Sequence, residues 1–276
     1  MLNIINSNLS VPLKIINVCI FILTLAISLS IHEFMHGWTA YKCGDTTAKE
    51  QGRLSFNPLA HLDPIGTIMM LFAGFGWAKP VMINRNRMTR FKNKDISLRI
   101  VSLAGVTANF VLAFISFFLL SVVTIICYYN GLNLEGFQYN YFLHMGSFFL
   151  SSADVSLSTI LLSVLCAFLC SLFERNLALM AFNLLPVPPL DGYQFIETLL
   201  PFSIRYKFQS FTKYISYIFL VLMFMGFLSF FMNYIKMPFQ YIIEAPIAAL
   251  ERNFFFEFAS WKNIIKEIVD SWTQYS

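Results

Sequence analysis

Three ionisable side chains stand close together within an otherwise apolar stretch of the chain. His32, Glu33 and His36 form the pattern His-Glu-x-x-His, and no lysine, arginine or aspartate occurs in the 27 residues from Ile15 to Tyr41. Residues i and i+4 of a helix share one face, so both imidazoles could bind one zinc ion with Glu33 beside it as a base. Burying these groups in a membrane span costs several kcal/mol unless coordination offsets the cost. The pattern therefore predicts a zinc-dependent hydrolytic site in a membrane helix.

A catalytic zinc ion usually takes three protein ligands, so the two histidines need a partner. The candidate is Asp191, which follows Pro186, Pro188 and Pro189. Prolines cannot continue a helix, and we expect Asp191 to reach sideways from an extended segment. The residues alone leave open the alternative that a span ends at the prolines and Asp191 lies among the lipid headgroups. His61, in a loop with asparagine and prolines, is interpreted as a structural turn residue rather than a ligand.

The composition is that of an integral membrane protein. Of 276 residues, 57% are hydrophobic and 12% are charged, against about 25% charged in ordinary soluble domains. Long stretches with few or no charged residues predict about four transmembrane helices. They are Ile15–Tyr41, Ile100–Tyr129, Val155–Leu190 and Tyr214–Ile235. The third is interpreted as one long helix, with the alternative that residues 155–173 already complete a crossing and the following segment enters again.

Charge asymmetry between loops predicts the orientation. The segment from Lys79 to Arg99 holds seven lysines and arginines against the single acid Asp95, whereas residues 130–154 hold no lysine or arginine. Basic loops remain in the cytoplasm, so the first segment is expected inside and the second outside. The net charge of +4 then reports orientation and does not indicate a nucleic-acid partner. The metal motif is expected to face the cytoplasm.

Two segments do not fit simple membrane spans. The apolar run Ile65–Trp77 is shorter than the roughly 20 residues of a spanning helix, and its glycines favour a re-entrant β-hairpin-like segment. Residues 237–276 mix aromatic and charged side chains, as in an interfacial amphipathic helix, although a helix packed on the core is the alternative. The predicted fold is an all-α polytopic membrane protein with a catalytic domain at 1–236 and an amphipathic tail at 237–276.

Two separated motifs together resemble those of the site-2 protease family of intramembrane zinc metalloproteases. They are His32-Glu33-x-x-His36 and Asn183-x-x-Pro186-x-x-x-x-Asp191-Gly192. Intervening motifs, including Phe56-Asn57-Pro58 and Phe75-Gly76-Trp77-Ala78-Lys79-Pro80-Val81, resemble the compact bacterial branch of the family, which lacks PDZ and CBS domains. The resemblance covers roughly residues 25–195. One departure is Gly105-Val106-Thr107-Ala108-Asn109, which lacks the proline that family members often have after the glycine.

The resemblance implies a role for each site residue. His32, His36 and Asp191 would be the ligands of Zn²⁺, Glu33 the catalytic acid and base, and Asn183 a group near the substrate carbonyl. It also implies that the substrates are transmembrane proteins or peptides, cut within the lipid bilayer by a multi-pass protein of the plasma membrane, the inner membrane in bacteria. No nucleic-acid partner is expected.

Two other classes of function also place such residues in membrane helices. A metal transporter would need a polar path through several spans, whereas the ionisable groups here cluster at one depth. A scaffold that binds transmembrane partners without cutting them would be indicated by a broken motif, and His32, Glu33 and His36 form an intact one. Zinc content measured together with peptide cleavage distinguishes the three classes.

Overall fold

The computed structural model describes residues 11–72, 78–129, 157–224 and 227–254, and this part of the chain is mainly helical. Its α-helices are α1 (Val11–Lys42), α2 (Thr47–Glu50), α3 (Pro64–Phe72), α4 (Lys94–Tyr129), α5 (Leu157–Asn183), α6 (Asp191–Leu199), α7 (Phe202–Phe224) and α8 (Phe227–Phe254). Short 3₁₀ turns cover Pro58–Ala60 and Arg85–Arg87. Within the described ranges the β structure is one isolated antiparallel bridge between Leu62 and Ala78. The predicted helical class is therefore confirmed.

Three described helices are long and apolar enough to cross a membrane: Val11–Lys42, Lys94–Val123 and Ile160–Asn183. They coincide with the first three predicted spans. The fourth predicted span, Tyr214–Ile235, falls across α7 and α8, with residues 225–226 outside the described part. The number of four spans thus stays a prediction.

The chain divides into two compact units. One unit comprises residues 25–112 and 175–236, and it contains all the predicted site residues. Within this unit the basic segment is joined to the end of α1, because Asp45 is fully buried and accepts hydrogen bonds from Thr47 N at 3.0 Å and Asn84 N at 2.6 Å. The other unit comprises residues 1–24, 113–174 and 237–276. There Thr24 Oγ1 lies 2.9 Å from Ser171 Oγ, and Phe117 packs on Phe173.

The segment predicted as a hairpin is helical where it is described. Residues 64–72 form α3, and residues 73–77 lie outside the described residues. The helix begins with a side-chain cap, because Asp63 Oδ1 accepts a hydrogen bond from Gly66 N at 2.7 Å. Pro64 occupies the first helical position, where its missing N–H costs nothing. The hairpin prediction was wrong for residues 65–72 because a local helix-start signal outweighed the glycines.

The predicted external loop, 130–154, lies outside the described residues. The predicted boundary between residues 236 and 237 falls inside α8, which continues to Phe254, while residues 255–276 are also outside the described part. The division into a catalytic domain and a tail therefore stays a prediction, as does the interfacial position of the tail.

The third long helix ends where the prolines begin. Helix α5 runs without interruption to Asn183, consistent with one long helix, and the backbone then turns through Leu184–Pro189. Leu190 is extended, with φ −73° and ψ 159°, and α6 starts at Asp191. The predicted unwinding is present, but Asp191 is the first residue of a new helix rather than part of an extended segment. A helix fixes the direction of the side chain more strictly than an extended strand would.

Candidate metal centre

The two histidines of the motif face each other on the same side of α1. His32 Nε2 and His36 Nε2 are 3.0 Å apart, and the two rings meet edge to face with their centroids 4.6 Å apart. Each residue is only 5% exposed. The i, i+4 spacing thus places a nitrogen of each ring at the same point, as the sequence predicted.

The orientation of His36 is set from helix α4. His36 Nδ1 lies 2.8 Å from the carbonyl oxygen of Val101. A carbonyl oxygen can only accept a hydrogen bond, so Nδ1 carries the proton and donates it. The lone pair of Nε2 is then free to bind a metal ion. Metal-binding histidines usually donate their other ring N–H to a carbonyl or carboxylate in this way.

Asp191 supplies the third converging atom. Its Oδ2 lies 3.1 Å from His32 Nε2 and 3.1 Å from His36 Nε2, and its side chain is 13% exposed. Among the described residues, His32, His36 and Asp191 form the group of side chains that could hold a metal ion. The structure thus brings together three residues from two helices that lie 155 positions apart in the chain.

The donor set and its spacing fit zinc. Two imidazole nitrogens and one carboxylate oxygen are ordinary ligands of a catalytic zinc ion. Ligands at about 2.0–2.1 Å from a tetrahedral zinc are separated from each other by about 3.3 Å. The observed separations of 3.0 to 3.1 Å are close to that value. A zinc ion held by these three residues would keep a fourth position for water or substrate.

Glycines allow backbone to pack directly against this centre. A Cβ atom at Gly105 would lie 2.6 Å from His32 Cε1 and would also overlap His36 Nε2. A Cβ atom at Gly192 would lie 2.6 Å from the carbonyl oxygen of Leu185 at the preceding turn. Helix α4 can therefore contact both imidazoles, and α6 can start tightly against the end of α5.

Glu33 lies beside the two histidines and is held by a backbone amide. Its Oε2 accepts a hydrogen bond from Val81 N at 2.9 Å. Val81 itself is buried, and its segment is joined to the preceding loop by a hydrogen bond from Lys79 N to the His61 carbonyl at 2.7 Å. The carboxylate of Glu33 thus has a fixed orientation in a half-buried position.

Asn183 and His61 occupy different environments. Asn183, the last residue of α5, donates from its side-chain amide to the Leu179 carbonyl at 3.0 Å. Its predicted role near the substrate carbonyl stays a prediction. His61 is fully buried, and its Nε2 lies 2.7 Å from the Ser55 carbonyl, in agreement with a structural role in the loop.

Sequence reasoning missed the backbone partners of the site. Val101 and Val81 contribute a carbonyl and an amide, so their side-chain types carry no signal of these roles. Gly105 appeared in the sequence only as part of a motif, and nothing there indicated that it faces the two histidines.

A family model described as Peptidase family M50 matches residues 20–226 of this chain. The chain is 41% identical over 201 residues to a Bacillus subtilis (strain 168) protein named "Putative zinc metalloprotease YwhC", covering 73% of this chain and 78% of that protein. A protein named "Putative zinc metalloprotease Rip2" from Mycolicibacterium smegmatis is 34% identical over 110 residues, or 37% of this chain and 40% of that protein. Its namesake from Mycobacterium tuberculosis (strain ATCC 25618 / H37Rv) is 27% identical over 187 residues, or 64% and 57%. No solved structure shows a significant match.

Replacing Gly105 with alanine tests the close packing of α4 on the histidines. The added Cβ would overlap both imidazoles, so the rings must move apart. We expect Gly105→Ala to lower zinc affinity by about 10- to 100-fold, the range seen when ligand surroundings are disturbed. Competition with a chelator on the purified chain measures this. Thr107→Ala, at an exposed position of the same helix, is the control, and equal affinities of the two variants would contradict the packing argument.

Proposed function

The chain belongs to peptidase family M50, and on that premise we propose that it is an intramembrane protease that hydrolyses peptide bonds in or near transmembrane segments of membrane proteins. The family makes the chain a zinc metalloprotease, and its three apolar helices suit a membrane protein. The proposal adds the place of cleavage, an active site toward the cytoplasmic face, transmembrane substrates and a multi-pass location in the plasma membrane.

The observation that carries the proposal is the convergence of His32, His36 and Asp191 beside Glu33. His32 and His36 lie within an apolar helix long enough to cross a membrane. Ionisable side chains in such helices are expensive and usually functional. We assign the two imidazoles and the Asp191 carboxylate as zinc ligands.

The remaining chemistry is assigned to two side chains and one backbone amide. Zinc, when bound, makes water more acidic and polarises the peptide carbonyl. Glu33 takes a proton from the attacking water and later delivers it to the leaving amine, so that one carboxylate serves as base and then as acid. The hydrogen bond from Val81 N keeps that carboxylate from rotating away. Asn183 is assigned to the developing charge on the substrate oxygen.

The cytoplasmic orientation is supported by the charges that follow the metal motif. Helix α1 ends at Lys42, six residues beyond His36, and the basic segment Lys79–Arg99 belongs to the same compact unit. Because basic loops stay in the cytoplasm, this end of α1 and the site near it face that side.

Glu33→Gln separates zinc binding from proteolysis. The three proposed ligands survive this change while the proton acceptor is lost, so we expect near-stoichiometric zinc and cleavage of a transmembrane peptide reduced by at least about 100-fold. His36→Ala and Asp191→Ala should bind zinc much more weakly and lose cleavage. Glu50→Gln, the same change at an exposed position, is the control and should behave as the parent. Substantial cleavage by Glu33→Gln would refute the assigned role of Glu33, and a zinc-binding parent that cleaves nothing would favour a transporter or scaffold.

Cysteine labelling tests the orientation. Native Cys43 is only 3% exposed and is a poor probe, so we choose Lys92→Cys at an exposed position of the basic segment. In a background without the native cysteines, an impermeant thiol reagent should label it in inside-out vesicles and not in intact cells. Asn140→Cys, in the loop expected outside, should give the opposite result. Labelling of Lys92→Cys in intact cells would reverse the proposed orientation.

Substrate helices must unwind before they can be cut. A helix engages its carbonyl groups in hydrogen bonds from residue i+4, so a peptide bond becomes accessible only when a few residues lose helical structure. Glycine or proline near the cytoplasmic third of a substrate span lowers that cost. We expect such substrates to be cleaved faster than the same span with leucine at those positions, measured at equal enzyme occupancy. Equal rates would mean that unwinding does not limit cleavage.

A further inference from the structure

The end of the helix that carries Asp191 is held by two arginines from neighbouring helices. At the C-terminus of α6, the Thr198 carbonyl accepts hydrogen bonds from Arg99 Nη2 at 2.7 Å and from Arg205 Nη2 at 3.3 Å. Arg205 Nη2 also lies 3.3 Å from the Leu200 carbonyl, and Arg99 Nε donates to Thr198 Oγ1 at 3.2 Å. The last carbonyls of a helix have no partner within the helix and carry partial negative charge, so guanidinium groups stabilise them.

Arg205 is in turn fixed by Asp95. Its two terminal nitrogens lie 3.3 Å from Asp95 Oδ1 and 3.1 Å from Asp95 Oδ2. The side chains are only 12% and 18% exposed. Such a two-point contact between partly buried groups fixes the guanidinium plane, which a lysine cannot do. Arg205 therefore links the start of α4 and the end of α6 while belonging to α7.

Helix α6 connects this contact directly to the proposed metal site. It has nine residues, begins at Asp191 and ends at Leu199, so its two ends are about 13 Å apart. Tyr193 in its first turn stacks on Phe208 and lies 3.0 Å, through its hydroxyl, from Thr212 Oγ1. A short helix held at both ends moves as one body, so the tilt of its C-terminus sets the position of its first residue.

The same end of α4 also orients a histidine. Arg99 contacts the end of α6, and two residues later the Val101 carbonyl holds His36. The same stretch of α4 therefore positions both His36 on α1 and the helix α6, which carries Asp191. An error in the angle between α4 and α6 would appear as a wrong distance between Asp191 Oδ2 and His36 Nε2.

We propose that Arg99 and Arg205 are positioning residues for the zinc site: they hold α6 at the angle that brings Asp191 against His32 and His36. This inference rests on the proposed role of Asp191 as a ligand. Loss of either arginine leaves all three ligands in the chain but lets the Asp191 carboxylate depart from its place, so zinc is bound more weakly. Ligand positions must be held to a fraction of an ångström for full affinity and activity.

Zinc affinity of the purified full-length chain in detergent is the direct test. We expect Arg205→Met to weaken zinc binding by about 10- to 100-fold, as for other residues that hold metal ligands in place, with Arg99→Met in the same direction. Arg205→Lys keeps the charge but not the two-point contact, and it should fall between Arg205→Met and the parent. Far-UV circular dichroism of the zinc-free forms checks that the helices are retained.

Arg87→Met is the matched control. Arg87 also pairs with an acid, Glu50, but the two side chains are 47% and 55% exposed and neither is in α6. Exposed pairs contribute little, so this variant should bind zinc within about twofold of the parent. If Arg87→Met weakens binding as much as Arg205→Met, a general loss of positive charge explains the effect and the proposal is wrong.

A double variant shows whether Arg205 acts through Asp191. In the Asp191→Ala background zinc is held by the two histidines alone, so adding Arg205→Met should cause no further loss of affinity, a non-additive result. An equal further loss would mean that Arg205 supports the fold in general, which overturns the proposal. If Arg205→Met binds zinc as the parent does while Asp191→Ala binds it more weakly, the positioning proposal is wrong but the ligand assignment stands. If Asp191→Ala itself binds zinc as the parent does, the ligand assignment fails and the inference fails with it.

Discussion

The structure of the site depends on the cost of keeping polar side chains inside an apolar helix. His32 and His36 are almost fully buried in α1, and a buried polar group without a partner costs several kcal/mol in such surroundings. Three of their four ring nitrogens have partners outside α1: Asp191 Oδ2 lies 3.1 Å from Nε2 of each histidine, and the Val101 carbonyl accepts a hydrogen bond from His36 Nδ1. Every other feature of the site follows from this need, because each partner must be brought to a fixed point on α1.

Close packing of backbone is the means by which the partners reach that point. Side chains normally fill the space between packed helices, whose axes lie about 8–10 Å apart. At Gly105 no Cβ stands between the backbone of α4 and the two imidazole rings. Gly192 does the same for α6 against the turn after α5. These two glycines therefore belong to the proposed metal site, although glycine has no side chain to bind a metal.

The sequence predicted which side chains come together at the site, but not the backbone groups and arginines that hold them in place. The histidine spacing requires only local helix geometry, and the prolines before Asp191 force a break in α5 wherever the helix packs, so both predictions were reliable. Pro64 was different, because the start signal formed with Asp63 competed with glycines that favour a hairpin. The Val81 amide and Val101 carbonyl could not be predicted, since every residue type except proline has both groups. The contacts of Arg205 depend on packing between helices that are distant in sequence.

Helix α4 has a special place in this arrangement because it contacts both sides of the site. At Val101 and Gly105 it touches the histidines of α1, and at Arg99 it holds the far end of α6. If each proposed ligand were held by a different element, errors in several packing angles would add up at the proposed metal site. Because α4 contacts both α1 and α6, the distances between the atoms of His32, His36 and Asp191 depend only on the angles that α1 and α6 make with α4.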